Sequence, residues 1–279
     1  MRDSPFGEEI MDHQLQLPMN DLLKITYYQQ DILWQAPEEN RAKVKAALER
    51  MDGGTDIFVV PETFTTGFGE GMGQMAEEEG GETYRFMRQM AAEHDCLTVG
   101  TWVVKDGHDG KTYNRLHWIA PDGSGGHYDK AHTFRVSGED RQVARGKEKA
   151  VFEWRGWRVK PAVCYDLRFP KWLRNGGATE EMDYDLLLVC ANWPGSRHEA
   201  WSTLLKARAI ENQAYAVGVN RVGCDGAEIP YTGNSVAIDY KGLVINECPA
   251  GEETTASATL EKGKLLQFRR HWPFFLDFD

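Results

Sequence analysis

The stretch Asp56-Ile57-Phe58-Val59-Val60-Pro61-Glu62 is a short β-branched and aromatic run that stops abruptly at a proline and a carboxylate. Such a run, apolar at every position, reads as a strand buried on both faces, as in a sheet sandwiched between other layers. Working outward, Lys24 to Tyr28 reads as an earlier strand, and Pro37 opens a helix with Val44, Ala47, Leu48 and Met51 on one face. A second helix is expected over Glu82 to His94, with Phe86, Met87, Met90 and Ala91 inward, followed by a strand over Cys96 to Val104. Asn114 to Ala120 is expected to turn back across Pro121-Asp122-Gly123 as a hairpin. Phe152 to Tyr165 reads as two strands joined at Arg155-Gly156, and Tyr184 to Ala191 as another buried strand. A long helix over Glu199 to Gln213, a strand over Tyr215 to Arg221 and a hairpin over Ser235 to Cys248 follow. Helices and strands interleave without a linker, so residues 22–279 read as one α/β domain and residues 1–21 as an N-terminal extension.

Composition narrows the function classes. The formal net charge is −11, and no run of Lys or Arg exceeds two residues, which argues against a nucleic-acid groove or an anionic-membrane patch. No apolar stretch is long enough to span a bilayer, and Met1 to Asn20 has no apolar core of the signal-peptide kind. Cys96, Cys164, Cys190, Cys224 and Cys248 are odd in number and lack a C-x-x-C spacing, so reduced thiols in a cytoplasmic protein are expected.

Three buried strands end on reactive groups, the place where α/β folds concentrate their chemistry. The first ends at Glu62, a position equally suited to a helix cap. The second is Tyr128-Asp129-Lys130-Ala131-His132, where a lone lysine is ordinarily a solvated loop residue. The third is Val163-Cys164-Tyr165-Asp166-Leu167-Arg168-Phe169-Pro170. Free cysteine is commonly a small buried hydrophobe. Cys164 differs because its strand stops there, polar residues follow and Phe169-Pro170-Lys171-Trp172 restarts as a helix. Such an elbow exposes the thiol and aims backbone N–H groups at it, which is expected to favour thiolate and to supply an oxyanion site. His132 or His198 could pair with Cys164 and His127 and His132 could ligate a metal, but no spacing supports either, and no metal site is expected. The sequence also lacks H-E-x-x-H, G-x-S-x-G and phosphate-loop patterns.

Taken together, Pro61-Glu62-Thr63-Phe64, the Lys130 segment and the Cys164 segment resemble the nitrilase (carbon-nitrogen hydrolase) superfamily from about residue 23 onward. Glu139, nine residues after Lys130, matches a fourth position of that pattern. The resemblance implies a four-layer αββα sandwich and homodimerisation, for which Glu199 to Gln213 and Trp272-Pro273-Phe274-Phe275 are the interface candidates. It also implies a Cys thioester mechanism without metal or organic cofactor. Glu62 is then the base, Cys164 the nucleophile, and Lys130 with the Tyr165 backbone N–H the oxyanion partners. Glu139 either holds the substrate amide or orients Lys130. Lys130→Ala is expected to remove activity and leave folding intact.

Within the superfamily, Thr112-Tyr113-Asn114-Arg115, Ala191-Asn192-Trp193-Pro194, Ala207 to Gln213 and Asn220 to Gly226 look most like the bacterial omega-amidase branch. That branch implies a small-molecule substrate, the terminal amide of an α-keto acid such as 2-oxoglutaramate. The distal carboxylate needs a cation. Arg168 offers a bidentate fork for it, unless it forms a structural ion pair with Asp166 or another acid. Trp193 and Phe64 could wall the pocket or be plain core. Carbamoyl-amino acid or nitrile hydrolysis stays open inside the superfamily, and a catalytically silent binding scaffold outside that chemistry.

Overall fold

A computed structural model describes residues 21–51 and 53–277, so the expected extension lies outside the described residues except for Asp21. The elements run β1 (Leu22–Gln29), α1 (Pro37–Glu49), β2 (Ile57–Val59), β3 (Glu77–Glu78), α2 (Glu82–His94), β4 (Leu97–Lys105), β5 (Thr112–Ile119) and β6 (Gly125–Asp129). Then come β7 (Phe152–Trp154), β8 (Trp157–Val163), α3 (Pro170–Leu173), β9 (Leu186–Ala191), α4 (His198–Glu211) and β10 (Tyr215–Asn220). The last are β11 (Val222–Cys224), β12 (Pro230–Thr232), β13 (Val236–Ile238), β14 (Val244–Glu247), β15 (Thr254–Glu261) and α5 (Lys262–His271).

Two sheets form. One has the order β15-β1-β2-β4-β5-β6, with β3 beside β4; the other runs β14-β13-β10-β9-β8-β7. The apolar runs explain the layering. In β9, Leu186, Leu188 and Cys190 face the space between the sheets, while Leu187, Val189 and Ala191 face outward under α4 residues Trp201, Leu205 and Ala209. In β2, Ile57 and Val59 face inward, and Phe58 packs outward against Val44 and Leu48 of α1 and Met87 and Met90 of α2. A strand with an apolar layer on each face has no reason to alternate. The result is a four-layer αββα sandwich.

Strand direction places the site. β1, β2 and β4 are parallel, as are β8, β9 and β10. β4, β5 and β6 meander antiparallel, so β6 points the same way as β4. The segments after β2, β6, β8 and β9 therefore leave their sheets at corresponding ends.

Two readings change. The helix expected to restart at Phe169 is one turn, α3, preceded by a 3₁₀ turn over Cys164–Arg168. β15 and α5 had no counterpart in the sequence reading. Close packing of β4 on the strand leading to Glu62 gives a test. A Cβ at Gly100 would lie 2.3 Å from Val60 Cγ2. Gly100→Ala is expected to cost about 1–3 kcal/mol through overpacking, seen as a lower urea midpoint at unchanged m-value.

Candidate active site

Glu62, Lys130, Glu139 and Cys164 converge between the ends of the two sheets. Glu62 and Glu139 are fully buried and Lys130 is 1% exposed, whereas Cys164 is half-buried. Lys130 Nζ donates to Glu62 Oε1 at 2.8 Å and to both oxygens of Glu139 at 3.0 and 2.9 Å. Asn114 Nδ2, from the middle of β5, donates to Glu62 Oε1 at 2.8 Å and Glu139 Oε1 at 3.2 Å. The Phe134 N–H donates to Glu139 Oε2. Both Glu139 oxygens thus face donors from its own half of the molecule.

Glu62 is tied to the other sheet through the residue after β9. The Asn192 N–H donates to Glu62 Oε2 at 2.8 Å, and the Asn192 side-chain amide donates to the Glu62 carbonyl and to Thr63 Oγ1 at 2.5 and 2.9 Å. Cys164 Sγ lies 3.6 Å from the Asn192 carbonyl. Both loops carry strained backbone: φ is 41° at Thr63 and 43° at Cys164. Left-handed geometry costs a residue with a Cβ roughly 1–2 kcal/mol, and a β-branched threonine there is a clear outlier. Hydrogen bonds hold it, since the Thr63 N–H donates to Thr101 Oγ1 at 2.7 Å.

The electrostatics revise one expectation. Burial, then the neighbouring Glu62 carboxylate, pushes the Cys164 thiol well above its ordinary pKa, and the Lys130 charge opposes them only in part. Burial beside an acid therefore works against thiolate at this elbow. Burial also works against the Lys130 charge, but Glu139 and Glu62 outweigh it and hold the amine protonated. Burial, with Glu62 nearby, lifts Glu139 above the usual carboxylate range, and Lys130 limits the rise.

Cys164 opens onto a cavity of about 380 Å³ whose walls include Phe68, Phe134, Tyr165, Trp193 and Tyr231. Of the two walls weighed from sequence, Trp193 lines it and Phe64 does not, and Tyr165, expected to act through its backbone N–H, also lines it. The Phe64 ring is fully buried on the outer face of the first sheet, edge-on to Trp102, and Phe68 faces the cavity instead. Arg168 lines the cavity with its guanidinium 4.8 Å from the centre of the Trp193 ring. The ion pair weighed between Arg168 and Asp166 does not form, because Asp166 is taken by other donors. Arg197, on the same wall and over Phe134, was not singled out from sequence, where an arginine before a helix carries no signal. Among the described residues no cluster of three or more His, Cys, Asp or Glu could hold a metal.

A family profile described as carbon-nitrogen hydrolase matches residues 24–270. The omega-amidase YafV of Yersinia enterocolitica is 42% identical over 92% of this chain and 97% of its own length. The 2-oxoglutaramate amidase of Bacillus subtilis is 30% identical over 91% and 96%. The crystal structure of XC1258 from Xanthomonas campestris, a CN-hydrolase superfamily protein with an arsenic adduct in its active site, superposes with a TM-score of 0.88. It is 40% identical, covering 92% of this chain and 97% of that one. With the profile spanning nearly the whole chain and the αββα sandwich in place, the protein belongs to the carbon-nitrogen hydrolase family.

Proposed function

We propose that this protein is an omega-amidase, hydrolysing the terminal amide of an α-keto acid monoamide of the 2-oxoglutaramate type to the acid and ammonia. The observation that carries the reading is the convergence of Glu62 and Lys130 on Cys164, which opens onto a small aromatic cavity that also presents the Arg168 guanidinium. The names of the relatives, at 42% and 30% identity, support the substrate class.

In the proposed reaction Cys164 attacks the amide carbon as its proton passes to Glu62, the carboxylate beside it. Burial that disfavours free thiolate suits this coupling, because nucleophile and base are activated together. The oxyanion that forms is met by the Lys130 ammonium and the Tyr165 backbone N–H. Each such donor contributes about 3 kcal/mol in comparable sites. Glu62 gives the proton to the leaving nitrogen, ammonia departs, and a thioester remains on Cys164. Glu62 then takes a proton from water as its oxygen attacks the thioester; the C–S bond breaks, the acid leaves, and Glu62 returns the proton to the Cys164 sulfur. Glu139 orients Lys130 rather than touching substrate. Its two oxygens are occupied by Lys130, Asn114 and the Phe134 N–H.

Arg168 holds the distal carboxylate. Stacking on Trp193 keeps the guanidinium flat and leaves its edge for a bidentate contact. Arg168→Lys is expected to raise KM for 2-oxoglutaramate at least tenfold, on the order of the loss of one charge-assisted bond, and to leave KM for hexanamide nearly unchanged. Equal effects on both substrates would assign Arg168 a structural role. Ammonia release from a panel of keto-acid amides, carbamoyl-amino acids and nitriles tests the reading. Preference for either of the latter classes would overturn the omega-amidase assignment.

Homodimerisation belongs to the same proposal. Ile210 on α4 and Trp272, Phe274 and Leu276 beyond α5 are 52%, 47%, 48% and 65% exposed, and Gln213 Nε2 ties the two segments by donating to the Trp272 carbonyl. Free thiols at Cys96, Cys164, Cys190, Cys224 and Cys248 support a reducing, cytoplasmic setting.

A further inference from the structure

Lys130 and Cys164 stand at the ends of strands in different sheets, β6 and β8, and no covalent stretch shorter than the intervening chain relates them. Besides the packed core and the Glu62–Asn192 tie, contacts between the two loops set their relative position. One side chain supplies most of these. Asp166, two residues after Cys164, is fully buried. Its Oδ2 accepts from the Val163 N–H at 3.0 Å and from the Tyr128 hydroxyl at 2.8 Å. Its Oδ1 accepts from the His132 N–H at 3.0 Å and pairs with His132 Nδ1 at 2.7 Å.

The four partner groups come from residues flanking the two reactive groups. Val163 immediately precedes Cys164, while Tyr128 and His132 bracket Lys130 two residues away on either side. The knot is closed around them. Tyr128 Oη also accepts from Trp172 Nε1 at 2.9 Å and from the Ala131 N–H at 3.3 Å, and the His132 ring stacks on Phe169 at 3.8 Å. Trp172 and Phe169 belong to the segment leaving the Cys164 elbow, so side chains from both loops interlock. A carboxylate without competing water holds several N–H and O–H donors strongly, and it does so in one geometry only.

We propose that Asp166 is a positioning residue: its single carboxylate bolts the Lys130 loop of one sheet to the Cys164 elbow of the other and so sets the oxyanion partner against the nucleophile. The inference rests on the roles given above to Cys164 and Lys130, and it concerns geometry, not substrate contact. Asp166→Asn turns one acceptor into an N–H₂ that must face a donor, either His132 or the Val163 and Tyr128 pair. Tyr128→Phe is the milder version, deleting one arm of the knot while keeping the ring.

The test reads two quantities in both variants. Turnover is followed by ammonia release from 2-oxoglutaramate, and the pH dependence of Cys164 alkylation by iodoacetamide is followed by mass spectrometry, with exposed Cys224 as the internal reference. The groups acting on the Cys164 thiol are Glu62, Lys130 and Glu139. Drift of Lys130 from a thiol that stays buried removes the one charge favouring thiolate, so the alkylation midpoint moves upward. Loosening of the fold instead exposes the thiol, and its midpoint falls toward that of an ordinary cysteine. The expected result is an upward shift, with kcat lowered about tenfold in Tyr128→Phe and more in Asp166→Asn, and KM within twofold of the parent. A downward or absent shift, or near-parental kcat in Tyr128→Phe, overturns the proposal, and Tyr128→Phe decides the matter if Asp166→Asn does not fold. Turnover retained by Cys164→Ala would instead overturn the reading of the site itself.

Discussion

Cys164→Ala is expected to lower kcat by about 10⁴-fold or more, the scale on which nucleophile deletions act in covalent hydrolases, and to leave the fold intact. The side chain lost is small and half-buried, and its Sγ lies 3.6 Å from the Asn192 carbonyl and beside the Glu62 carboxylate. Alanine carries the same Cβ, so the left-handed backbone at position 164 is no more strained than before. The cross-sheet ties run through Asn192, Glu62 and Asp166 and do not involve the sulfur. Ammonia release at saturating 2-oxoglutaramate measures the first part, and a thermal midpoint within a few degrees of the parent checks the second. Appreciable turnover in the variant would remove the thioester from the mechanism.

Lys130→Ala is the second large effect, and it acts on stability as well as rate. From the sequence this substitution reads as neutral for folding, since a lysine in a loop after a strand is ordinarily solvated. The structure reverses that. Lys130 is 1% exposed and is the shared cation between Glu62 and Glu139, both fully buried. Its removal leaves two carboxylates facing each other across a dry space. Uncompensated buried charge costs about 3–5 kcal/mol, and loss of an oxyanion donor lowers kcat by about 10²–10³-fold. Urea unfolding followed by fluorescence should show the lower midpoint, and single-turnover ammonia release on the folded fraction the lower rate. A variant as stable as the parent would mean that the carboxylates take up a proton without further cost.

Two of the three strand ends were legible for a simple reason, whereas the edge strand β6 before Lys130 is no apolar run. A strand covered on both faces is an apolar run, and the residue where the run stops is marked by contrast; Val60 to Glu62 and Val163 to Cys164 show this plainly. Contrast fails where a polar residue sits inside a strand. Asn114 is fully buried in mid-β5, and its meaning depends on Glu62 and Glu139, 52 and 25 residues away in sequence. Asp166 was visible as part of the elbow, but its partners lie in the Lys130 loop, and nothing local names them. β15 escaped because Thr254–Glu261 is built of Thr, Ser and Ala with only Ala258 and Leu260 buried, so its pattern resembles a loop. The state of the thiol escaped because an elbow motif tells where backbone N–H groups point, while burial beside Glu62 is a tertiary property.

The pairing of β15 with β1 has a consequence for how the protein is made. Thr26 and Ser257 share a hydrogen bond across 231 residues, and the two strands are in register from Leu22–Glu261 to Gln29–Thr254. β1 therefore leaves the ribosome well before β15 and waits, one edge open, until that strand has been synthesised. Contacts this distant in sequence are slow to form, and an open edge is a template for the wrong neighbour. The sheet that waits also carries the segments that lead to Glu62 and Lys130, so until β15 arrives it stays open at its β1 edge.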